Sequence, residues 1–236
     1  MQDIVNLIHL SDLHFSISDP QRKDASLLAV SNILGQVKKL KSNGVIGANC
    51  VVVFTGDLVF DGAVFDDFCA LKDELLAPLT SILEIDDNRV ILVPGNHDID
   101  SNAIPESEWI IGARFDRENT LDELYDDLRT KLANFFRFIN NNNYSSVTAE
   151  HPRVVKIQLD GFNFVVWNGL AGSYARSAIS KTDSDRGHIF FSNTEEPLLK
   201  SILTGKDIIV THHPLSWYYD SVGTKFEKLI SGKSVL

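Results

Sequence analysis

Residues 90–98 read Val90-Ile91-Leu92-Val93-Pro94-Gly95-Asn96-His97-Asp98. An aliphatic run of strand length stops at Pro-Gly, and an amide, an imidazole and a carboxylate follow at once. Such a run, with no polar alternation, fits a strand covered on both faces. The same pattern recurs along the chain. Ile4 to Leu10 leads into Ser11-Asp12-Leu13-His14, Val51 to Phe54 into Thr55-Gly56-Asp57, and Ile208 to Thr211 into His212-His213-Pro214. Between the first runs, Leu27, Val30, Ile33, Leu34, Val37 and Leu40 recur at helical spacing, as do Phe65, Phe68, Leu71, Leu75 and Leu79. Strands alternating with helices predict a layered α/β fold, β-sheets flanked by helices around a βαβ-type core. In open α/β sheets, ligands bind outside the carboxyl ends of the strands. All four polar clusters sit at such ends.

The rhythm breaks between Ser101 and Glu150. This stretch holds a helical pattern from Leu121 to Ile139 and then Asn140-Asn141-Asn142-Asn143. Its few apolar positions cannot close a core alone, so 101–150 reads as a helical insertion in one domain spanning residues 1–236. Val154 to Leu159 and Phe162 to Trp167 flank Asp160-Gly161, a hairpin signal. A helix is expected near Glu195 to Leu203, another near Gly223 to Ile230, and a strand beginning at Ser234-Val235-Leu236.

The 236 residues carry a formal net charge of −10, and no basic stripe marks a nucleic-acid footprint. That balance does not exclude phosphate substrates, because bound divalent cations would invert the local field. Cys50 and Cys69 are the only cysteines and read as two buried free thiols, as in a reducing compartment. Met1-Gln2-Asp3 leads straight into a strand-like run, with no signal-peptide pattern and no span of membrane length, so the expectation is a cytoplasmic protein.

Singly, the motifs are weak: Asp-x-His arises by chance, and Gly-Asp is more often a turn. Together, in order and each at a strand end, they point to a metal centre. Gly56 and Gly95 are expected to turn the backbone sharply before the ligand residues. Carboxylates mixed with imidazoles suit Mn, Fe or Zn better than Ca. Outside this set, His9 reads as a satisfied histidine of the core or beside the site, and His151 as exposed. Trp109 and Trp167 read as packing residues, and Trp217 as a candidate pocket wall. Asp61, ahead of an apolar-periodic stretch, reads as a helix cap.

The ordered set Asp12-x-His14, Gly56-Asp57, Gly95-Asn96-His97-Asp98 and His212-His213-Pro214 resembles the calcineurin-like metallophosphoesterases, also called purple-acid-phosphatase-like. The resemblance implies two divalent metal ions. Asp12 and His14 would bind the first, Asn96 and His212 the second, and Asp57 would bridge them. His212 is preferred to His213 because the family's ligand stands two residues before the Pro. His97 would face the substrate as a catalytic residue, with Asp98 orienting it. The implied reaction is two-metal-assisted attack of water on a phosphomonoester or phosphodiester. Ser11 to His14 and Gly56 to Gly62 look most like bacterial cyclic-nucleotide phosphodiesterases of the family. A nuclease of the same superfamily and a regulatory module with a degenerate site are the alternatives. The family pattern closes with Gly-His-x-His, and nothing after His213 matches it. Gly187-His188-Ile189-Phe190 comes too early and lacks the second His. The chain is therefore expected to continue past Leu236 into an apolar strand ending in that motif.

Overall fold

The structure is a computed structural model that describes residues 6–47, 49–103, 121–170, 195–204, 206–217, 227–231 and 234–236. Among these residues, two four-stranded sheets form the framework. The first pairs β1 (Asn6–Leu10), β2 (Cys50–Thr55), β3 (Val90–Val93) and β4 (Ser145–Ser146) in that order, all parallel. In the second, β5 (Val154–Leu159) and β6 (Phe162–Trp167) make an antiparallel hairpin, and β7 (Asp207–Val210) and β8 (Ser234–Val235) follow in parallel. The hairpin turns on Asp160 and Gly161, both at positive φ (50° and 81°), the combination that a tight two-residue turn requires.

Every residue of β2 and β3 is buried, as continuous aliphatic runs predict. Alternate residues of the second sheet serve two cores. Phe164, Val166 and Val210 join the main cluster with β2 and β3, whereas Val165, Trp167 and Ile209 pack with Leu199 and Ile230. The two sheets thus share one core, and the second sheet has another apolar layer on its far side. Helix α1 (Lys23–Ser42) supplies Val30 and Val37 to the main core.

The second predicted helix is a composite rod. It comprises α2 (Phe65–Leu71), a π-helical turn (Lys72–Leu76) and α3 (Ala77–Leu83). Pro78 has no N–H to donate, and the wider turn ends two residues before it, at Leu76. The pattern from Leu121 to Ile139 is likewise two helices, α4 (Leu121–Lys131) and α5 (Ala133–Asn140). The Lys131 carbonyl accepts from Asp100 N at 2.8 Å instead of continuing one straight ladder. The break directs Phe135, Phe136, Phe138 and Ile139 into the main core. With β4 after them, these helices form a β3-to-β4 crossover, so the described part of 101–150 contributes to the first sheet and its core.

One smaller expectation changes, for Cys69, and one holds, for His9, which is satisfied beside the site. Cys50 is buried, but Cys69 is exposed because it lies on the outer side of α2. His9 is exposed on β1, with Nε2 2.8 Å from Thr55 Oγ1. No helix among the described residues is long and apolar enough to cross a membrane. Trp109, the Gly187–Phe190 motif and most of 223–230 lie outside the described residues; 227–230 is helical.

Phe68 on α2 makes ring contacts with Phe135 and Phe138 of α5, at centroid distances of 6.4 and 5.5 Å. It is fully buried. Phe68→Ala is expected to lower the unfolding free energy by about 3–5 kcal/mol. Urea denaturation followed by circular dichroism checks this, and a loss below about 1 kcal/mol would show that α5 does not depend on this contact.

Candidate metal centre

Three loops leave the carboxyl ends of β1, β2 and β3 and are laced together by backbone bonds. Asp12 N donates to Gly56 O (3.1 Å), His14 N to Asp57 O (2.9 Å), Phe15 N to Leu58 O (3.0 Å) and Gly62 N to His97 O (2.8 Å). Asp12, His14 and Asp57 all lie at positive φ (54°, 48° and 52°). Left-handed backbone at non-glycine residues costs on the order of 1–3 kcal/mol each and persists only where surroundings enforce it. All three are expected metal ligands.

The glycines have different reasons. Gly56 sits at φ +88°, and a Cβ there would also lie 2.3 Å from His212 Nδ1. Gly95 has an ordinary extended backbone (φ −105°), so it does not serve the sharp turn expected of it. It serves close approach: a Cβ at Gly95 would stand 2.2 Å from both Asp57 N and Asp57 Oδ1.

Asp57 is the hub. Its Oδ2 lies 3.6 Å from His14 Nε2, and its Oδ1 lies 3.5 Å from His212 Nε2. His97 N donates to Oδ1 at 2.9 Å. The loop after β7 brings His212 in from the second sheet, so the centre straddles both. His212 Nδ1 donates to Thr55 O (2.8 Å). Because that carbonyl only accepts, the neutral ring keeps its proton on Nδ1 and turns the Nε2 lone pair inward. There Nε2 faces Asn96 Oδ1 at 3.2 Å as well as Asp57 Oδ1. Acceptors crowded against one another in this way repel, and a cation between them removes the repulsion. A backbone carbonyl on the outer ring nitrogen is also how metal-binding histidines are held.

Among the described residues the ligand-capable atoms form two groups within 4.8 Å, Asp12 with Asp57 and His212, and His14 with Asp57 and His97. Asp57 belongs to both. This grouping by distance crosses the division implied by the resemblance, which paired Asp12 with His14. The donor set fits divalent cations held by oxygen and imidazole nitrogen. His14 is shifted to a lower pKa, first by burial, with His97 and His212 adding like charge and Asp57 and Asp12 opposing. That keeps its ring neutral, the form that binds metals.

The His97 ring is oriented differently from expectation. Its Nδ1 lies 3.0 Å from Phe60 O, and it meets the His14 ring edge-on at a centroid distance of 4.4 Å. Asp98 does not orient it. The Asp98 carboxyl group is fully buried and accepts Leu58 N (3.2 Å), Val59 N (3.0 Å) and Gly95 N (2.8 Å). Burial and the charge on Asp57 push its pKa up to about 8, against the pull of those donors. Asp98 therefore holds the loops after β2 and β3 in register. Sequence reading also missed Asp67, whose Oδ1 accepts Ile17 N, Ser18 N and Ser18 Oγ and pins the loop beyond His14. An Asp in an amphipathic helix gives no signal of such a tertiary role. Asp61 Oδ1 accepts Ala63 N, so it fixes the turn ahead of α2 and is not the helix N-cap, which is Val64. His213 is buried with its ring against Trp217 (5.4 Å), so Trp217 packs on His213.

The model of the calcineurin-like phosphoesterase family matches residues 5–231, and the chain belongs to that family. A solved dimetal phosphatase from Danio rerio is similar in fold, with a TM-score of 0.50 at 15% sequence identity, over 98% of this chain and 78% of that one. None of the curated proteins matches. Family membership supports metal-dependent phosphoester hydrolysis as the class of chemistry.

Asp98→Ala orphans three buried backbone N–H groups. It is expected to cost more than about 3 kcal/mol of stability. His97→Ala should stay within about 1 kcal/mol of the parent, since its side chain accounts for one ring-to-carbonyl bond. Chemical denaturation of both variants separates the roles; equal losses would remove the structural assignment of Asp98.

Proposed function

We propose that this protein hydrolyses phosphate esters, phosphodiesters in particular, at a centre of two divalent cations of the Mn, Fe or Zn kind. The observation that carries the reading is Asp57, whose two carboxylate oxygens face different imidazoles, His14 at 3.6 Å and His212 at 3.5 Å. One carboxylate with an oxygen toward each of two donor groups suits a bridge between two ions. When bound, such ions neutralise phosphate charge and acidify water.

The chain's own residues do the rest. Asp12, His14, Asn96 and His212 complete the donor set around Asp57. His212 is locked by Thr55 O in the tautomer that presents Nε2. His97, with Nδ1 against Phe60 O, presents Nε2. A neutral His97 ring offers a lone pair there, and a protonated one can donate to the leaving oxygen of the ester, a step worth roughly 10²–10⁴-fold. The similarity of the first two motifs to bacterial cyclic-nucleotide phosphodiesterases makes cyclic phosphodiesters the first natural candidates. The absence of a basic stripe in the sequence weighs against extended nucleic acid.

The test is hydrolysis of bis(p-nitrophenyl) phosphate with and without added Mn, alongside metal content by elemental analysis. Metal-dependent turnover is expected, and Asp57→Asn should abolish it with loss of metal. His97→Ala should keep its metal while kcat falls roughly 10²–10⁴-fold. Asn96→Ala and His212→Ala should lose metal first, and His213→Ala should keep it. Near-normal turnover of Asp57→Asn at saturating Mn would rule out the bridge, and metal loss in His97→Ala would make His97 a ligand.

A further inference from the structure

Beside the metal centre lies a groove of about 500 Å³ whose walls include Leu13, His14, Asp19, Arg22 and Phe60. Two of these residues belong to the centre as well. His14 faces Asp57. Phe60 supplies the carbonyl that meets His97 Nδ1, and its ring lies 5.7 Å from the His97 ring, tilted by 34°. The groove therefore adjoins the candidate metal centre through His14 and Phe60. Its size falls within the range of small-molecule sites.

Arg22 is the cation on this wall. Its guanidinium carbon stands 3.5 Å above the centroid of the Phe60 ring. Asp19 Oδ2 lies 3.4 Å from Nε. No acceptor among the described residues takes the Nη hydrogens. One edge of the guanidinium is thus given to Asp19, one face rests on Phe60, and the outer edge is presented with the geometry that binds carboxylate or phosphate through paired N–H groups. The mount is firm. Arg22 N and Lys23 N both donate to Asp19 O (3.0 Å each), and Asp67 anchors the preceding residues Ile17 and Ser18. In a chain of net charge −10, a guanidinium one aromatic ring beyond His97 is a feature that attracts anions.

We infer that Arg22 is a specificity-determining residue that recognises a second anionic group, a phosphate or carboxylate, on the part of a phosphodiester substrate lying in the groove. This rests on the hydrolase reading above and narrows its substrate class. A diester whose retained group carries another negative charge would be preferred over one whose retained group is neutral. Leu13 and Phe60 line the groove, and its volume of about 500 Å³ is enough for a body of nucleoside size.

Two p-nitrophenyl esters that differ by one phosphate test this: thymidine 5′-(p-nitrophenyl phosphate) and its 3′-phosphorylated counterpart. With Mn present, kcat/KM is expected to be about tenfold or more higher for the 3′-phosphorylated ester, the scale of one charge-assisted contact. Arg22→Gln should bring the ratio of the two values close to one, and Arg22→Lys should restore part of it, since an ammonium supplies charge without the fork. A ratio near one in the parent protein, or a ratio that Arg22→Gln leaves unaltered, overturns the assignment. Hydrolysis of neither ester would count against the hydrolase reading, and the subsite is then decided by calorimetric titration. Thymidine 3′,5′-bisphosphate should bind more tightly than thymidine 5′-monophosphate, with the difference lost in Arg22→Gln; equal affinities overturn the proposal.

Discussion

A carboxyl group with no contact to solvent joins two strand ends: Asp98 accepts the backbone N–H groups of Leu58 and Val59 after β2 and of Gly95 after β3. Those donors point into the interior and could not be left unpaired without a cost of about 1–3 kcal/mol each. Once they are paired, the two loops cannot move independently. Gly95 then lies so close to Asp57 that a single Cβ would collide with both its backbone and its carboxylate. The position of Asp57 is set by this packing. The strained φ values of Asp12, His14 and Asp57 follow from the same crowding, because each is held by loop-to-loop bonds that leave little alternative.

The centre also depends on how the two sheets meet. Asp12, His14, Asp57 and Asn96 follow strands of the first sheet, whereas His212 follows β7 of the second. The shared core, with Phe164, Val166 and Val210 packed among residues of β2 and β3, sets the spacing between these donors. Thr55 O then fixes the His212 ring from across that junction. The result is a set of acceptor atoms turned toward one another, an arrangement that favours cations and, through them, phosphate, in a chain whose overall charge would otherwise repel it.

Much of the fold was legible because its signals are local. Continuous aliphatic runs announced β2 and β3, Asp160-Gly161 announced the hairpin, and helical spacing announced α1. The composite rod at residues 65–83 and the break between α4 and α5 were less so. The first has a π-helical turn ending two residues before Pro78, and the second involves the Asp100 N–H reaching the Lys131 carbonyl. The short β4 was invisible, since Ser145-Ser146 has no strand signal and pairs only because β3 offers it an edge. Cys69 was misread for a related reason: residue type says little about which side of a helix faces the core.

By itself the sequence determined the chemistry available. Asp12, His14, Asp57, Asn96, His97 and His212 are polar residues at strand ends, and a strand end is a local fact that an apolar run followed by Gly or polar residues can encode. The tertiary structure alone decided what those groups do to one another. It turned the two oxygens of Asp57 to different histidines and gave the His97 ring to the Phe60 carbonyl. It moved Asp98 from an expected partner of His97 to the buried anchor of two loops. Orientation, tautomer and partner depend on contacts between residues far apart in the chain, and short-range sequence patterns carry no record of those contacts.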